Sequence, residues 1–320
     1  MKLKFQALAV AMLGLLAGAA QAAWPDRPIR LIVPYPAGGA ADSIARVVAT
    51  QLSERLKQQV LVENRAGAGG TIGAQAVAQA PADGYTFLYD ATSFAVNPSL
   101  FRKLNFSYAK DFAPVSMVAR IPTLLVVPAA SSMKSVADLV KAARSPQGPL
   151  TYASAGNGSA SQLTAAMFAQ GFNVPMVHVP YKGGAPALTD LAGGQVQLMF
   201  SAVTASMPLV KGGKLKALAT ASPQRLPTLP DLPTVAESGL PGFQAFEWNA
   251  VFAPAATPAD IVARMEGELQ QVLTSPAVRQ RMDELGALPA ASGAKELDRF
   301  VKAETAQWAR VIKTAGITLD

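Results

Sequence analysis

Two short stretches carry the residues best placed to do chemistry: residues 33–42, VPYPAGGAAD, and residues 179–187, VPYKGGAPA. Each begins as an apolar run (IRLIVPY, PMVHVPY), passes through a Gly-Gly pair and opens a segment with helical spacing. Strand, glycine-rich turn, helix is the layout that points free backbone N–H groups and the positive end of a helix dipole at one spot. A small anion such as a carboxylate is held there without any cationic side chain. Two such turns on opposite sides of a cleft would grip one ligand. Either turn alone is equally well an ordinary βα turn; the near-repetition is what favours a ligand. A third polar cluster lies in LTYASAGNGS, where Ser154, Asn157 and Ser159 follow a strand-like run. One Ser suffices to cap the next helix, which leaves polar groups over for a carboxylate.

Little else in the chain can do covalent or acid–base work. The single His, His178, sits in an apolar run and reads as a satisfied structural residue. The absence of Cys removes disulfides, thiolate metal sites and thiol catalysis. No GxSxG elbow is present, and S-x-x-K occurs at Ser107 and Ser131 without companion motifs. Gly67, Gly69 and Gly73 miss the dinucleotide spacing, and no acidic residue is placed for a ribose. The expectation is a binder with no catalytic residues, no metal and no cofactor.

The elements that position these turns alternate along the chain. PIRLIVPY, QVLVEN, YTFLYD, PTLLVVPA, LTYAS, PMVHVPY, VQLMFSA, LKALATA and EWNAVFAP read as strands. Helical spacing follows Asp42 and Ser43, which can cap it, through Ile44, Val47, Val48, Leu52 and Leu56, and recurs in VADLVKAAR and in two segments near the C-terminus. ATSFAVNPSLF reads as a loop and DFAPVSMVAR as irregular. Alternation of this kind predicts parallel sheets in an α/β fold.

At 320 residues the length suggests two domains. Residues 1–22 read as a signal peptide: Lys2 and Lys4, the apolar ALAVAMLGLLAGAA, then Ala20-Gln21-Ala22 as the cleavage site. An exported, periplasmic mature chain follows. The formal charge of +7 comes without a Lys/Arg run or interleaved aromatics, so nucleic acid is not an expected partner. No exposed apolar stripe is evident, which favours a monomer.

The motifs together resemble the Bug family, the extracytoplasmic solute receptors of tripartite tricarboxylate transporters. The likeness runs in order through WPDRPIRLIVPYPAGGAAD, VENRAGAGGTIGA, ADGYTFLYD, NPSLFRKLNFSYAKDFAPVSMVAR, YASAGNGS, VPYKGGAPALTDLAGGQVQLMF, GKLKALATASPQRLPTLPDLPTVAESGLPGF and FAPAATP. The resemblance implies a two-lobe periplasmic binding protein fold, type II-like, each lobe a mixed sheet flanked by helices, with two hinge crossings near residues 121–127 and 248–252. Lobe 1 would be residues 23–123 plus 250–320, and lobe 2 residues 124–249. It implies a small carboxylate ligand, mono-, di- or tricarboxylate, held partly through water, and a permease of the tripartite tricarboxylate type as partner. A membrane signalling protein as partner, or an exported enzyme, are the alternatives from other classes. Carried onto this sequence, the ligand-binding residues are Tyr35, Ala37, Gly38, Gly39 and Asp42; Thr92; Ser154, Asn157 and Ser159; Tyr181, Lys182, Gly183 and Gly184; and Ser201 and Ala202. Asp42 has helix capping as a competing role. Many relatives carry His where this chain has Gln162, and Asp-Asn where it has Ser201-Ala202. The loss of that charge points to a neutral-bodied carboxylate, aromatic ones included, rather than an amino acid.

Overall fold

The computed structural model describes residues 24–146 and 148–319; the expected signal peptide lies outside them. The chain begins with a βαβ unit. Strand β1 (Ile29–Val33) is buried at four of its five positions and runs parallel to β2 (Val60–Asn64) and β3 (Thr86–Ala91). Helix α1 (Ala40–Leu56) connects β1 to β2 and buries Ile44, Ala45, Val48, Ala49, Leu52 and Leu56 on one side. That spacing is the apolar stripe of an amphipathic helix. The helix stops at Lys57 in the left-handed region, φ 52°.

After α2 (Thr71–Ala78), β3 and α3 (Ser93–Leu100), the chain forms β4, a 17-residue strand from Phe112 to Pro128. Such a strand is about 55 Å long. Up to Pro122 it pairs antiparallel with β9 (Phe246–Pro254). From Thr123 it pairs with β7 (Leu198–Ala202) and β8 (Leu215–Thr220), both antiparallel. Strands β5 (Leu150–Ser154) and β6 (Met176–Pro180) extend the second half as a parallel set with β7. The sheet order is β2-β1-β3-β9-β4-β7-β5-β6, with β10 (Leu288–Pro289) also on β4. One strand therefore belongs to both halves of the molecule.

The second half carries α4 (Val136–Ala143), α5 (Ala160–Phe172), α6 (Gly184–Ala192) and α7 (Val203–Lys211). Helices α8 (Ala259–Thr274), α9 (Pro276–Glu284) and α10 (Ala294–Ala315) return to the first half. On one side of the β3–β9–β4 region, α1, α8 and α9 bury Ile44, Leu52, Leu269, Val272 and Met282 against Val251 and Ala253. On the other side α10 buries Trp308, Val311 and Ile312 in a core that also holds Phe94, Phe168, Phe200 and Trp248, so it spans both halves.

Four sequence expectations change. The sheet is mixed rather than parallel, because β4 and β9 run against their neighbours. DFAPVSMVAR is not irregular but the first part of β4; its partner lies far along the chain, and the register shifts between Pro114 and Ser116 disturb the alternation. ATSFAVNPSLF is not a loop: Ser93–Leu100 is helical with Pro98 inside. Asp42 and Ser43 do not cap α1, whose N-cap is Gly39. Helices α7 and α9 were not anticipated.

Candidate functional site

The C-terminal ends of β1 and β3 in one half, and of β5, β6 and β7 in the other, carry the loops singled out above. In open α/β sheets this is the edge where ligands bind.

The first loop is built by its own side chains. Gly38 takes φ +82°, in the left-handed region that suits glycine, with open space where a Cβ would stand. Its N–H donates to Asp42 Oδ2 at 2.9 Å. The same oxygen accepts from Arg46 Nε at 3.0 Å, and Asp42 Oδ1 accepts from Asn64 Nδ2 at 2.8 Å. Asn64 Nδ2 also reaches Tyr35 O at 3.1 Å. Asp42 is 2% exposed. Burial alone would raise its pKa, but the bonds from Arg46, Gly38 and Asn64 prevail and hold the carboxyl below the usual range. Both oxygens are thus spent inside the loop, as a clamp. Residues 36–40 remain exposed, and no side chain caps α1, so its first-turn amides face outward.

Tyr35 anchors the loop from beneath. Its hydroxyl donates to Asp90 Oδ1 at 2.6 Å and bonds Ser93 Oγ. Asp90 also accepts from Ala91 N and Ser93 Oγ, while its Oδ2 has no partner among the described residues. Burial pushes the Asp90 pKa up to about 6 despite the bonds from Tyr35, Ala91 and Ser93. Thr92 is buried, and its Oγ1 accepts from Trp248 N at 3.3 Å, which ties the end of β3 to β9. Neither Tyr35 nor Thr92 has a free polar group aimed outward.

The second loop is more open. Gly183 is the N-cap of α6 at φ 114°, with no side-chain cap, and nothing lies near the Cβ positions of Gly183 or Gly184. Tyr181 N donates to Ser154 O at 3.1 Å and Gly183 N to Ala155 O at 3.2 Å, so this loop is fastened to the AGNGS turn. Tyr181 hydroxyl donates to Asp190 Oδ2 at 2.9 Å; Lys182 is exposed.

Inside the AGNGS turn, Ser154 is fully buried and its Oγ lies 2.6 Å from His178 Nε2. Gln162 Oε1 accepts from Gly158 N at 2.7 Å, which turns its Nε2 towards His178 Nδ1 at 3.0 Å. Nδ1 is then the acceptor and Nε2–H the donor to Ser154. Burial lowers the His178 pKa, consistent with this neutral ring. His178 is the satisfied structural residue expected from its surroundings. Ser159 caps α5 and donates to Gly156 O at 2.6 Å, and the Asn157 side chain is exposed at the apex without a partner among the described residues. A Cβ on Gly158 would lie 2.3 Å from Leu100 Cδ1, so this turn backs onto α3 of the other half. Ser201 is buried and bonds Ala202 O; Ala202 is the N-cap of α7 and lies opposite Thr123.

The structure therefore gathers Ala37, Gly38 and Gly39 in one exposed loop and Asn157, Lys182, Gly183 and Gly184 in two joined ones. Asp42, Tyr35, Thr92, Ser154 and Ser159 are turned inward as supports. Sequence inspection missed Asn64, Asp90, Ser93 and the bracing by Gln162. Glu247 and Asn249, on the strand between the halves, were missed too. No group of His, Asp and Glu suited to a metal occurs among the described residues. A cavity of about 580 Å³ lies elsewhere, between α3 and α10, walled by Phe94, Phe101, Phe106 and Phe252; it includes none of the glycine loops.

The long shared strand, the paired α/β halves and the uncapped helix N-terminus in each half are the features of a two-lobed binding protein of the periplasmic type. Residues 44–317 match the family model described as "Tripartite tricarboxylate transporter family receptor". A protein in the tcbD-tcbE intergenic region of Pseudomonas sp. (strain P51) is 41% identical over 91% of this chain and 87% of its own length. R. palustris Rpa4515, solved with adipate, is 39% identical with a TM-score of 0.83 over 92% of this chain and 99% of that one. MatC from Rhodopseudomonas palustris, with bound malate, is 34% identical with a TM-score of 0.78 over 90% and 100%. The chain belongs to the tripartite tricarboxylate transporter receptor family. It is a solute-binding receptor, and no described helix is long and apolar enough to cross a membrane.

Proposed function

We propose that this receptor captures a small carboxylate between residues 37–39 and residues 182–184, closes on it and presents it to a tripartite permease. The observation that carries the proposal is the pair of uncapped glycine-led helix N-termini, one on each side of the handover in β4. Backbone amides and helix dipoles suit a carboxylate at such places, and bridging waters can replace direct contacts at small cost. Adipate and malate on the two solved relatives support the ligand class.

Within this proposal the lobes are residues 23–123 with 250–320, and residues 124–249. The change of partners at Pro122 and Thr123 supports that division. The mature chain starts after Ala22, works as a monomer in the periplasm and does not turn its ligand over. Asp42, Tyr35, Thr92, Ser154 and Ser159 act by holding the loops, and Ser201 and Ala202 form a small neutral wall. A thermal-shift screen against aliphatic, aromatic, citrate-like and amino-substituted carboxylates tests the function. Saturating ligand raises stability by about 2.7 kcal/mol at a hundredfold excess over Kd. Silence across the panel, with no carboxylate released from the denatured protein, would contradict the proposal.

A further inference from the structure

Strand β9 carries two polar groups that no contact among the described residues explains. It is an interlobe strand: Ala245 N bonds Ala221 O next to β8, and Phe246 then starts the pairing with β4. Phe246 and Trp248 turn to α10, where Phe246 stacks on Phe300 and Trp248 Nε1 donates to Glu304 Oε2 at 3.1 Å. Alternation along a strand sends Glu247 and Asn249 to the opposite side. That side is the one packed on α1, because Val251 and Ala253 share the core of Ile44 and Val48. The N-terminal turn of α1 is the Gly38-Gly39 loop. Glu247 and Asn249 also lie beside the C-terminal end of β3, since Ala91 pairs with Asn249.

Their cross-strand neighbours on that face are Ala91, Ala119 and Ile121, all apolar. Asn249 is 2% exposed; its Nδ2 donates to Trp248 O at 3.1 Å and its Oδ1 has no partner. Glu247 is part-exposed, and its side chain makes no hydrogen bond or ion pair among the described residues. Burial raises its carboxyl pKa, with no charge or hydrogen bond offsetting it. Two acceptors thus sit two residues apart on one face, at the junction of the lobes, with no donor supplied by the described residues. A buried unmatched acceptor such as Asn249 Oδ1 is costly, and the part-exposed Glu247 beside it is open to a ligand.

We infer that Glu247 and Asn249 receive the ammonium group of the ligand, so that the carboxylate captured by the glycine loops is an amino acid. The inference rests on the carboxylate-receptor proposal above. An ammonium has three donors and the charge Glu247 lacks. The neutral Ser201-Ala202 pair had pointed to a neutral-bodied ligand. Ala202 flanks β4 opposite Thr123, and Glu247 flanks the other edge opposite Ile121, so the two share a face on which β7 presents no charge and β9 presents a carboxylate.

The test is calorimetric titration with matched pairs differing by one ammonium: propionate and alanine, succinate and aspartate, glutarate and glutamate, 3-phenylpropionate and phenylalanine. In the pair whose body fits, the amino member binds at least about tenfold tighter. Glu247→Gln then weakens it by about ten- to a hundredfold, the range for a charged hydrogen bond, and leaves the plain acid within about threefold. Plain acids binding as well as or better than their amino partners would overturn the inference and leave the receptor proposal standing. So would a preference that survives in Glu247→Gln. Failure of every member of every pair, together with every other carboxylate tested, would overturn the receptor proposal itself. Should Glu247→Gln not fold, the wild-type pairs decide.

Discussion

Asp42 separates a loop clamp from a ligand contact. In Asp42→Ala the Gly38 N–H, Arg46 and Asn64 lose their common acceptor. The Arg46 side chain is 51% exposed, so solvent screens that ion pair and it adds little. The other two bonds go to a buried carboxylate, and a hydrogen bond to a charged group is worth about 1.5–3 kcal/mol before solvent competition. Gly38 is exposed and can bond water once freed, so a total loss of about 2 kcal/mol is expected. For a chain of this size that lowers Tm by roughly 3 °C. The loss has a defined pH dependence. The folded pKa of Asp42 lies below its unfolded value, so its stabilisation is complete above the unfolded pKa and disappears as pH falls through the folded one. Chemical denaturation of wild type and Asp42→Ala at pH 7 and in acid measures this: the difference is about 2 kcal/mol at pH 7 and shrinks below pH 4. Asn64→Ala in the same background is sub-additive, because both residues hold one loop. Affinity falls for all carboxylates together. Unchanged stability at pH 7, or a loss that persists in acid, would refute the clamp; so would tighter carboxylate binding, the sign of a removed ligand-facing charge.

Other expectations follow from the same geometry. Gly184→Val meets open space, so Tm stays within about 2 °C while calorimetry shows carboxylate affinity falling at least tenfold, because the side chain covers the N-terminal turn of α6. Gln162→Leu strands Gly158 N and His178 Nδ1 and lowers unfolding free energy by about 1–3 kcal/mol in urea titrations. Asp90 has a folded pKa raised to about 6, so its charged form opposes folding. Stability therefore declines as pH rises from about 4 to about 7, and this part of the slope is absent in Asp90→Asn.

The glycine loops were legible because backbone conformation constrains residue type locally. Gly38 at φ +82° and Gly183 at φ +114° occupy conformations that other residues adopt with strain. The βαβ units followed from short-range periodicity, as in IRLIV and the Ile44 to Leu56 stripe. What escaped depends on long-range pairing. The first half of β4 takes its partner from residues more than a hundred positions later, and its register shifts break the period of two. Helix α3 buries Phe94, Ala95, Val96 and Asn97 all round and contains Pro98, so it shows no polar face to read. The supports of the site escaped for the same reason. Asp90 is one Asp at the end of a strand until Tyr35 and Ser93 are folded against it. Glu247 stands out only when Phe246 and Trp248 are seen to claim the opposite face.

A crystal structure of the mature protein with its tightest-binding carboxylate tests the central claim most directly. The prediction is one carboxylate within hydrogen-bonding distance, directly or through one water, of the amides of Gly39 or Ala40 and of Gly184 or Ala185, the first-turn amides left free at the two helix N-termini. A ligand seated instead in the apolar cavity of Phe94, Phe101 and Phe106, with both glycine loops bonded only to solvent, would contradict it.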